Sequence, residues 1–492
     1  MSRPLRVLAL AAGDGINLVL NFLLIPVLAR TFDVETYGTY GQVLMIAGFC
    51  VTLLSMGLNN ILLKDLSQAS DKDEIFSNNI LSGFLIGAIG MIFIILFASS
   101  VGSYFSNPAI VNNLRFYAPY VPVTIAIASC NAALIYLGKS KTIVLVSVLT
   151  NLIRLIGIIA ISAYTDQALN YIFIFLTLLG VLQLMVLLNQ IDWKLSFQKI
   201  QASNINKQLK DALPLGITVM ISSVFTVADG IYVSSLLGVT EFAIYRNGAM
   251  FIPLIMSLYA AINSIVLPDI SVLFANNNYS EIVRLKKKIS SLFIFIVYPV
   301  VLYFLFFAAD LVKLIFSEKY ILSTTIFQLY NISLLFRICN AEDLFLVANK
   351  ANRLPVFYTV VCLFALVGNY FFIHLWGIHG AVLTSLFGTI LLLLLIYRNG
   401  FKLIGVGFSE IIPLNNILQV LMITIPLILT AVIVGSHVNH PFYFLTVFFP
   451  YIILCYFIFL KMNWLDVLIV RKMVMGLFGE HKAIKLYDRI FG

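Results

Sequence analysis

Residues 77 to 100 read SNNILSGFLIGAIGMIFIILFASS, a run of 24 residues without a charged side chain. Wound as an α-helix at about 1.5 Å per residue, the run extends about 36 Å, enough to cross about 30 Å of hydrocarbon. Comparable apolar stretches recur on both sides of it. Fourteen are counted, at 5–29, 38–62, 77–100, 113–137, 142–163, 169–190 and 212–237, then 243–267, 290–309, 321–348, 355–376, 378–397, 413–435 and 441–460. The composition agrees: 61% of the 492 residues are hydrophobic and 11% charged, where a soluble domain carries about 25% charged residues. The chain reads as an all-α polytopic membrane protein. Arg3 and Arg6 precede the first stretch, but its apolar run continues to Ala29, beyond the core of a signal peptide, so it is read as a membrane helix.

The basic residues test the count independently, because cytoplasmic loops collect Lys and Arg. With the N-terminus inside, and with Arg6, Arg115 and Arg246 at the first few residues of their spans counted with the adjoining loops, 24 of the 31 fall on the cytoplasmic side, 5 on the other, and Arg154 and Arg337 lie well inside spans. A missed or invented helix in mid-chain would blur this contrast, so fourteen helices with both termini cytoplasmic are expected. The net charge of +9 follows from the same asymmetry. Arg284, Lys286, Lys287, Lys288 and the tail are expected to face anionic membrane lipids, and the charge is no argument for nucleic acid. The five cysteines, Cys50, Cys130, Cys339, Cys362 and Cys455, all fall within spans and lack metal-ligand spacing; no disulfide and no metal site is expected.

The chain also repeats. Val34-Glu35-Thr36-Tyr37-Gly38-Thr39-Tyr40 aligns with Val239-Thr240-Glu241-Phe242-Ala243-Ile244-Tyr245. Ile61 to Ser67 aligns with Ile265 to Ser271 after a one-residue slip, and Cys130-Asn131-Ala132 with Cys339-Asn340-Ala341, all at offsets of 204 to 209. The expected plan is two pseudo-symmetric six-helix lobes in parallel, 1–190 and 212–397, joined by a cytoplasmic loop at 191–211. Two additional transmembrane helices follow within 398–460, then a basic interfacial tail at 461–492.

Leu28-Ala29-Arg30 with Tyr37-Gly38-Thr39-Tyr40, and Asp229 through Leu237-Gly238 followed by Tyr245, resemble the polysaccharide-exporter flippases of the multidrug/oligosaccharidyl-lipid/polysaccharide superfamily. The resemblance covers the full chain, and Arg246 and Asn247 depart from it where small residues are expected. It implies a V-shaped pair of lobes like those of multidrug exporters, and a central cavity. It also implies alternating-access export of undecaprenyl-diphosphate-linked oligosaccharide in the bacterial inner membrane, for O-antigen, capsule or exopolysaccharide. Polymerase or ligase enzymes of the same pathway are the implied protein partners.

An ionised side chain at mid-bilayer costs at least about 2.5–3.5 kcal/mol, so each needs a partner, a cavity or a function. Asp14, Asn17 and Asn21 share one face of the first helix and are expected to line the cavity; the competing reading is a polar seam between helices. Arg154 follows Asn151 by one turn and Arg337 precedes Asn340 by one turn. A guanidinium fork suits a diphosphate and never loses its charge; the competing reading for Arg337 is an ion pair with Glu342 or Asp343. Asp229 and Arg246 are placed near one another as a gate, or as a permanent ion pair. Two energy sources fit, an H+ or Na+ gradient coupled through Asp14 or Asp229, and consumption of the product outside. Gly138-Lys139-Ser140 ends like a phosphate-binding loop, but that motif's first glycine would fall at Ala133 inside a span. No cofactor and no enzymatic chemistry is expected. The runner-up function is a cation-coupled exporter of drugs or metabolites with the same architecture. A membrane-embedded glycan polymerase would need larger outer loops than these.

Overall fold

The computed structural model describes residues 3–55, 57–68, 71–165, 168–193, 202–252, 255–435, 442–462 and 464. The tail expected to lie on the membrane surface falls outside them apart from residues 461, 462 and 464. The helices in chain order are α1 (Arg3–Thr31), α2 (Val34–Ser55), α3 (Leu58–Gln68), α4 (Lys72–Tyr104), α5 (Ile110–Tyr117), α6 (Tyr120–Tyr136) and α7 (Ser140–Tyr164). Then come α8 (Ala168–Leu188), α9 (Ala202–Leu236), α10 (Val239–Gly248), α11 (Ile255–Ala275), α12 (Tyr279–Phe306), α13 (Ala308–Phe316) and α14 (Ser323–Ile332). The chain closes with α15 (Glu342–Val347), α16 (Leu354–Trp376), α17 (Ile378–Lys402), α18 (Phe408–Ile411), α19 (Leu414–Gly435) and α20 (Tyr443–Lys461).

Among the described residues twelve helices are long and apolar enough to cross a membrane. All fourteen sequence spans have helix beneath them. The two outside the twelve are the first, whose apolar part Gly15–Thr31 is shorter, and the tenth. The tenth is not one helix: α14 passes into a 3-10 turn at Ser333–Phe336, the backbone then unwinds, and α15 resumes at Glu342. The eighth is interrupted too, between α10 and α11. Hydropathy sums side-chain character and carries no information on whether the backbone beneath stays helical.

Polarity is arranged inside out, as lipid demands. On α4, Ser77, Asn78, Asn79 and Ser82 are buried while Ile89, Phe93 and Leu96 are 65%, 56% and 69% exposed. Their donors are taken up: Asn78 donates to the Glu74 carbonyl, Asn79 to the Leu58 carbonyl, and Ser82 to the Asn78 carbonyl. A polar atom without such a partner would cost several kcal/mol in hydrocarbon.

The chain forms two compact units. One comprises Met1–Ala249, Ile315–Ile326 and Leu354–Gly388, the other Met250–Leu314, Phe327–Arg353 and Thr389–Gly492. In the first, α4 and α6 pack so closely that a Cβ on Gly87 would stand 2.4 Å from the Pro122 Cα, a backbone atom that cannot swing away. In the second, α12 is the central pillar. Tyr303 bonds the Phe444 carbonyl, Tyr451 the Pro299 carbonyl and Tyr456 the Ile296 carbonyl, fastening α20 to it.

Gly87→Ala should therefore destabilise the protein by about 1–3 kcal/mol through overpacking. Gly15→Ala, whose Cβ meets nothing within 4 Å, should leave stability unchanged or slightly raised. Thermal unfolding in detergent micelles compares the two.

Candidate functional site

Two polar arrangements stand out, one in each unit. In the second unit the break of the tenth span is a built feature. Unwinding frees main-chain groups within residues 335–341, and side chains from three helices take several of them up. The Tyr397 hydroxyl on α17 donates to the Phe336 carbonyl at 3.0 Å and accepts from the Cys339 N–H at 3.3 Å. Tyr259 on α11 donates to the Cys339 carbonyl at 3.1 Å. Lys286 on α12 donates to the Asn340 carbonyl, and Tyr298, also on α12, to the Leu335 carbonyl at 2.6 Å. The adjoining interruption, described at 249–252, is bridged by buried Asn331, which accepts from the Ile252 N–H and donates to the Met250 carbonyl, both at 2.9 Å.

Arg337 sits at the centre of this break. Its guanidinium lies over the Phe251 ring, 5.9 Å from the centroid, a cation–π arrangement. Its Nε is buried without a hydrogen-bond partner, and among the described residues it forms no ion pair. The alternative pairing with Asp343 is closed, because Asp343 binds Lys286 at 2.5 Å. Asn340 does not stand one helical turn from Arg337, since the segment is not helical. Its Oδ1 accepts from the Glu342 N–H at 3.0 Å, opening α15. Lys286 is itself a correction to the sequence reading: it is 2% exposed and turned inward, not toward lipid headgroups, because the freed carbonyl and Asp343 offer it two acceptors.

In the first unit, α1 and α7 are joined by a ladder of side chains. Asn17 donates to Ser147 at 2.8 Å, Asn151 donates to Asn17 Oδ1 at 2.8 Å, and Arg154 reaches Asn21 Oδ1 at 3.5 Å. Four of the sequence candidates thus meet on one seam. The fifth, Asp14, has its side chain outside the described residues. Arg154 is half-buried, its Nε is buried without a partner, and its only hydrogen bond among the described residues is the long one to Asn21.

Asp229 and Arg246 do not pair. Buried Asp229 accepts from the Tyr245 hydroxyl at 2.5 Å and the Ser385 hydroxyl at 2.7 Å. Arg246 lies between the Tyr37 and Tyr40 rings, 5.9 and 6.0 Å from their centroids. It packs against Gly41, where a Cβ would meet its Nη1 at 2.6 Å. The departure from small residues at 246 is thus accommodated by a glycine on the facing helix. Asn247, the other departure, accepts from the Tyr37 hydroxyl at 2.7 Å. Beside these groups, a cleft of about 440 Å³ separates α2 from α9. Thr52, Ser222, Ser223 and Thr226 line it, each donating its proton to its own helix backbone and keeping lone pairs for a guest's donors.

Sequence reasoning missed Lys286, Tyr259, Asn331 and Tyr397. The signal available was the density of polar residues in the 321–348 span, where Gln328, Asn331, Ser333, Arg337, Asn340, Glu342 and Asp343 crowd a stretch otherwise apolar.

A family model described as polysaccharide biosynthesis protein matches residues 6–274. No curated protein sequence matches the chain. Among solved structures, the lipid II flippase MurJ in an inward closed conformation superposes with a TM-score of 0.75 at 17% identity, covering 92% of this chain and 98% of that one. An inward-facing multidrug resistance MATE family transporter of the MOP superfamily gives 0.65 at 14% identity, with 79% and 94% covered. A MOP superfamily transporter from Pyrococcus furiosus gives 0.57 at 14% identity, with 82% and 95% covered. The fold is therefore that of the MOP superfamily.

Tyr397→Phe strips the break of one donor and one acceptor and should lower stability by about 1–3 kcal/mol. Tyr370→Phe, at an exposed position on α16, should leave the melting temperature unchanged in the same detergent assay.

Proposed function

The chain belongs to the polysaccharide biosynthesis protein family, and from that premise we propose that it is a flippase. Its cargo is an undecaprenyl-diphosphate-linked oligosaccharide, moved from the cytoplasmic to the outer leaflet of a bacterial inner membrane for surface polysaccharide synthesis. The observation that carries this reading is the pair of membrane-embedded arginines, Arg154 and Arg337, each with a buried Nε left without a partner and neither in an ion pair among the described residues. A cation kept without an acid in a low-dielectric surrounding is costly. It becomes favourable when an anion arrives, and a diphosphate matches the guanidinium fork.

Arg337, held on unwound backbone, is an anion contact within the second unit, and Arg154 with its amide ladder of Asn151, Asn17 and Asn21 is a contact for phosphate or sugar within the first. The hydroxyl-lined cleft accepts hydrogen bonds from glycan hydroxyls, and the polyprenyl tail stays in the bilayer. Transport proceeds by alternating inward and outward access. Asp229, buried among hydroxyls, is the group through which an H+ or Na+ gradient couples; it acts without Arg246, whose part is to pack α10 against α2.

Cells lacking the protein should accumulate the lipid-linked glycan on the inner leaflet, scored with a probe that reaches only the outer one. Arg337→Ala should reduce flipping about tenfold or more, the loss of a charge-assisted contact worth about 1.5–3 kcal/mol, and Arg337→Lys should retain part of it. Unchanged lipid-linked glycan in the deletion strain would sink the flippase reading and favour a small-molecule exporter.

A further inference from the structure

The break in the tenth span contains more than Arg337. Lys286 Nζ donates to two oxygens there, the main-chain carbonyl of Asn340 and Oδ2 of Asp343. Two further buried oxygens belong to this region: Oδ1 of Asp343, without a hydrogen-bond partner, and the hydroxyl of Ser290, one turn along α12 from Lys286 on the same face and next to the Cys339 thiol of the break. Lys286, Asp343 and Ser290 are 2%, 4% and 0% exposed.

Stripped of the lysine, this is one carboxylate, one carbonyl from unwound helix and one hydroxyl. All are hard oxygen donors, they carry a single negative charge between them, and they sit where a transporter's interrupted helix characteristically binds a monovalent cation. A simple charge pair needs only the carboxylate. Here the ammonium also ties down a freed main-chain carbonyl, the task a bound ion would otherwise perform, and it leaves one carboxylate oxygen over. We propose that the pocket formed by Asp343, the Asn340 carbonyl and Ser290 is a monovalent-cation site, and that the Lys286 ammonium fills it as a tethered cation. The break is then held open without an exchangeable ion, and any coupling ion acts elsewhere in the molecule. This inference is independent of what the protein carries, so its test stands apart from the flippase assays.

The test is thermal unfolding of the full-length protein in detergent, wild type against Lys286→Ala, with both prepared in ammonium chloride and then measured in ammonium, sodium, potassium or choline chloride at equal ionic strength. The quantity read is the gap in melting temperature between variant and wild type in each salt, which cancels cation binding at other sites. The gap should be widest in choline, which is too large for the pocket. It should close by about half or more in at least one of the small cations, because a ligand that binds only the folded state stabilises it by mass action. Lys286→Ala/Asp343→Asn, lacking the site's charge, should be indifferent to the cation. A gap that is the same in every salt, or no gap at all, overturns the proposal. So does a Lys286→Ala protein that fails to fold even in ammonium chloride, or a double variant rescued by the same cations as the single one.

Discussion

Inside a bilayer every main-chain N–H and C=O must find a partner within the protein, and that one constraint organises this molecule. Over most of its length it is met by uninterrupted helix. Where the eighth and tenth spans unwind, it is met by side chains: Tyr259, Tyr298, Tyr397 and Lys286 cap freed carbonyls, and Asn331 serves both a donor and an acceptor of the neighbouring interruption. The interruptions are therefore specified features with their own supporting contacts. Because those contacts come from α11, α12, α14 and α17, the second unit's packing is arranged around them.

The charges inside the membrane divide by whether they are answered. Lys286 and Asp343 answer each other, and Asp229 is answered by two hydroxyls. Among the described residues, Arg154, Arg246 and Arg337 are answered only by amides or aromatic faces. An aromatic face contributes about 0.5–2 kcal/mol to a cation, less than an acid would and without neutralising it.

The internal repeat has a structural use. Val34–Tyr40 and Val239–Tyr245 each open a helix, α2 and α10, and within the first unit these two helices pack on one another. A Cβ on Gly38 would lie 2.5 Å from the Val239 carbonyl oxygen, so the approach depends on glycine at 38. The third matching pair has diverged in form. Cys130-Asn131-Ala132 lies within helix α6, whereas Cys339-Asn340-Ala341 is the unwound segment that Tyr259, Tyr397 and Lys286 hold. The same three residues take two backbone states because only the second copy has those partners within reach.

The sequence alone determined the membrane class, the position of nearly every span and the family, since burial in lipid selects side-chain hydropathy directly and hydropathy is a local, additive property. It also singled out Arg154, Arg337, Asn17, Asn21, Asn151 and Asp229 as polar groups needing an explanation, on the same cost argument. Only the tertiary structure decided what answers each of them. Asp229 turns to Tyr245 and Ser385 instead of Arg246, Asp343 turns to Lys286 instead of Arg337, and Lys286 points inward from a cluster that reads as lipid-facing. It also decided that the tenth span is broken, because unwinding is stable only when side chains distant in sequence bring hydrogen bonds to the freed backbone. No window along the chain contains both the break and the groups that hold it.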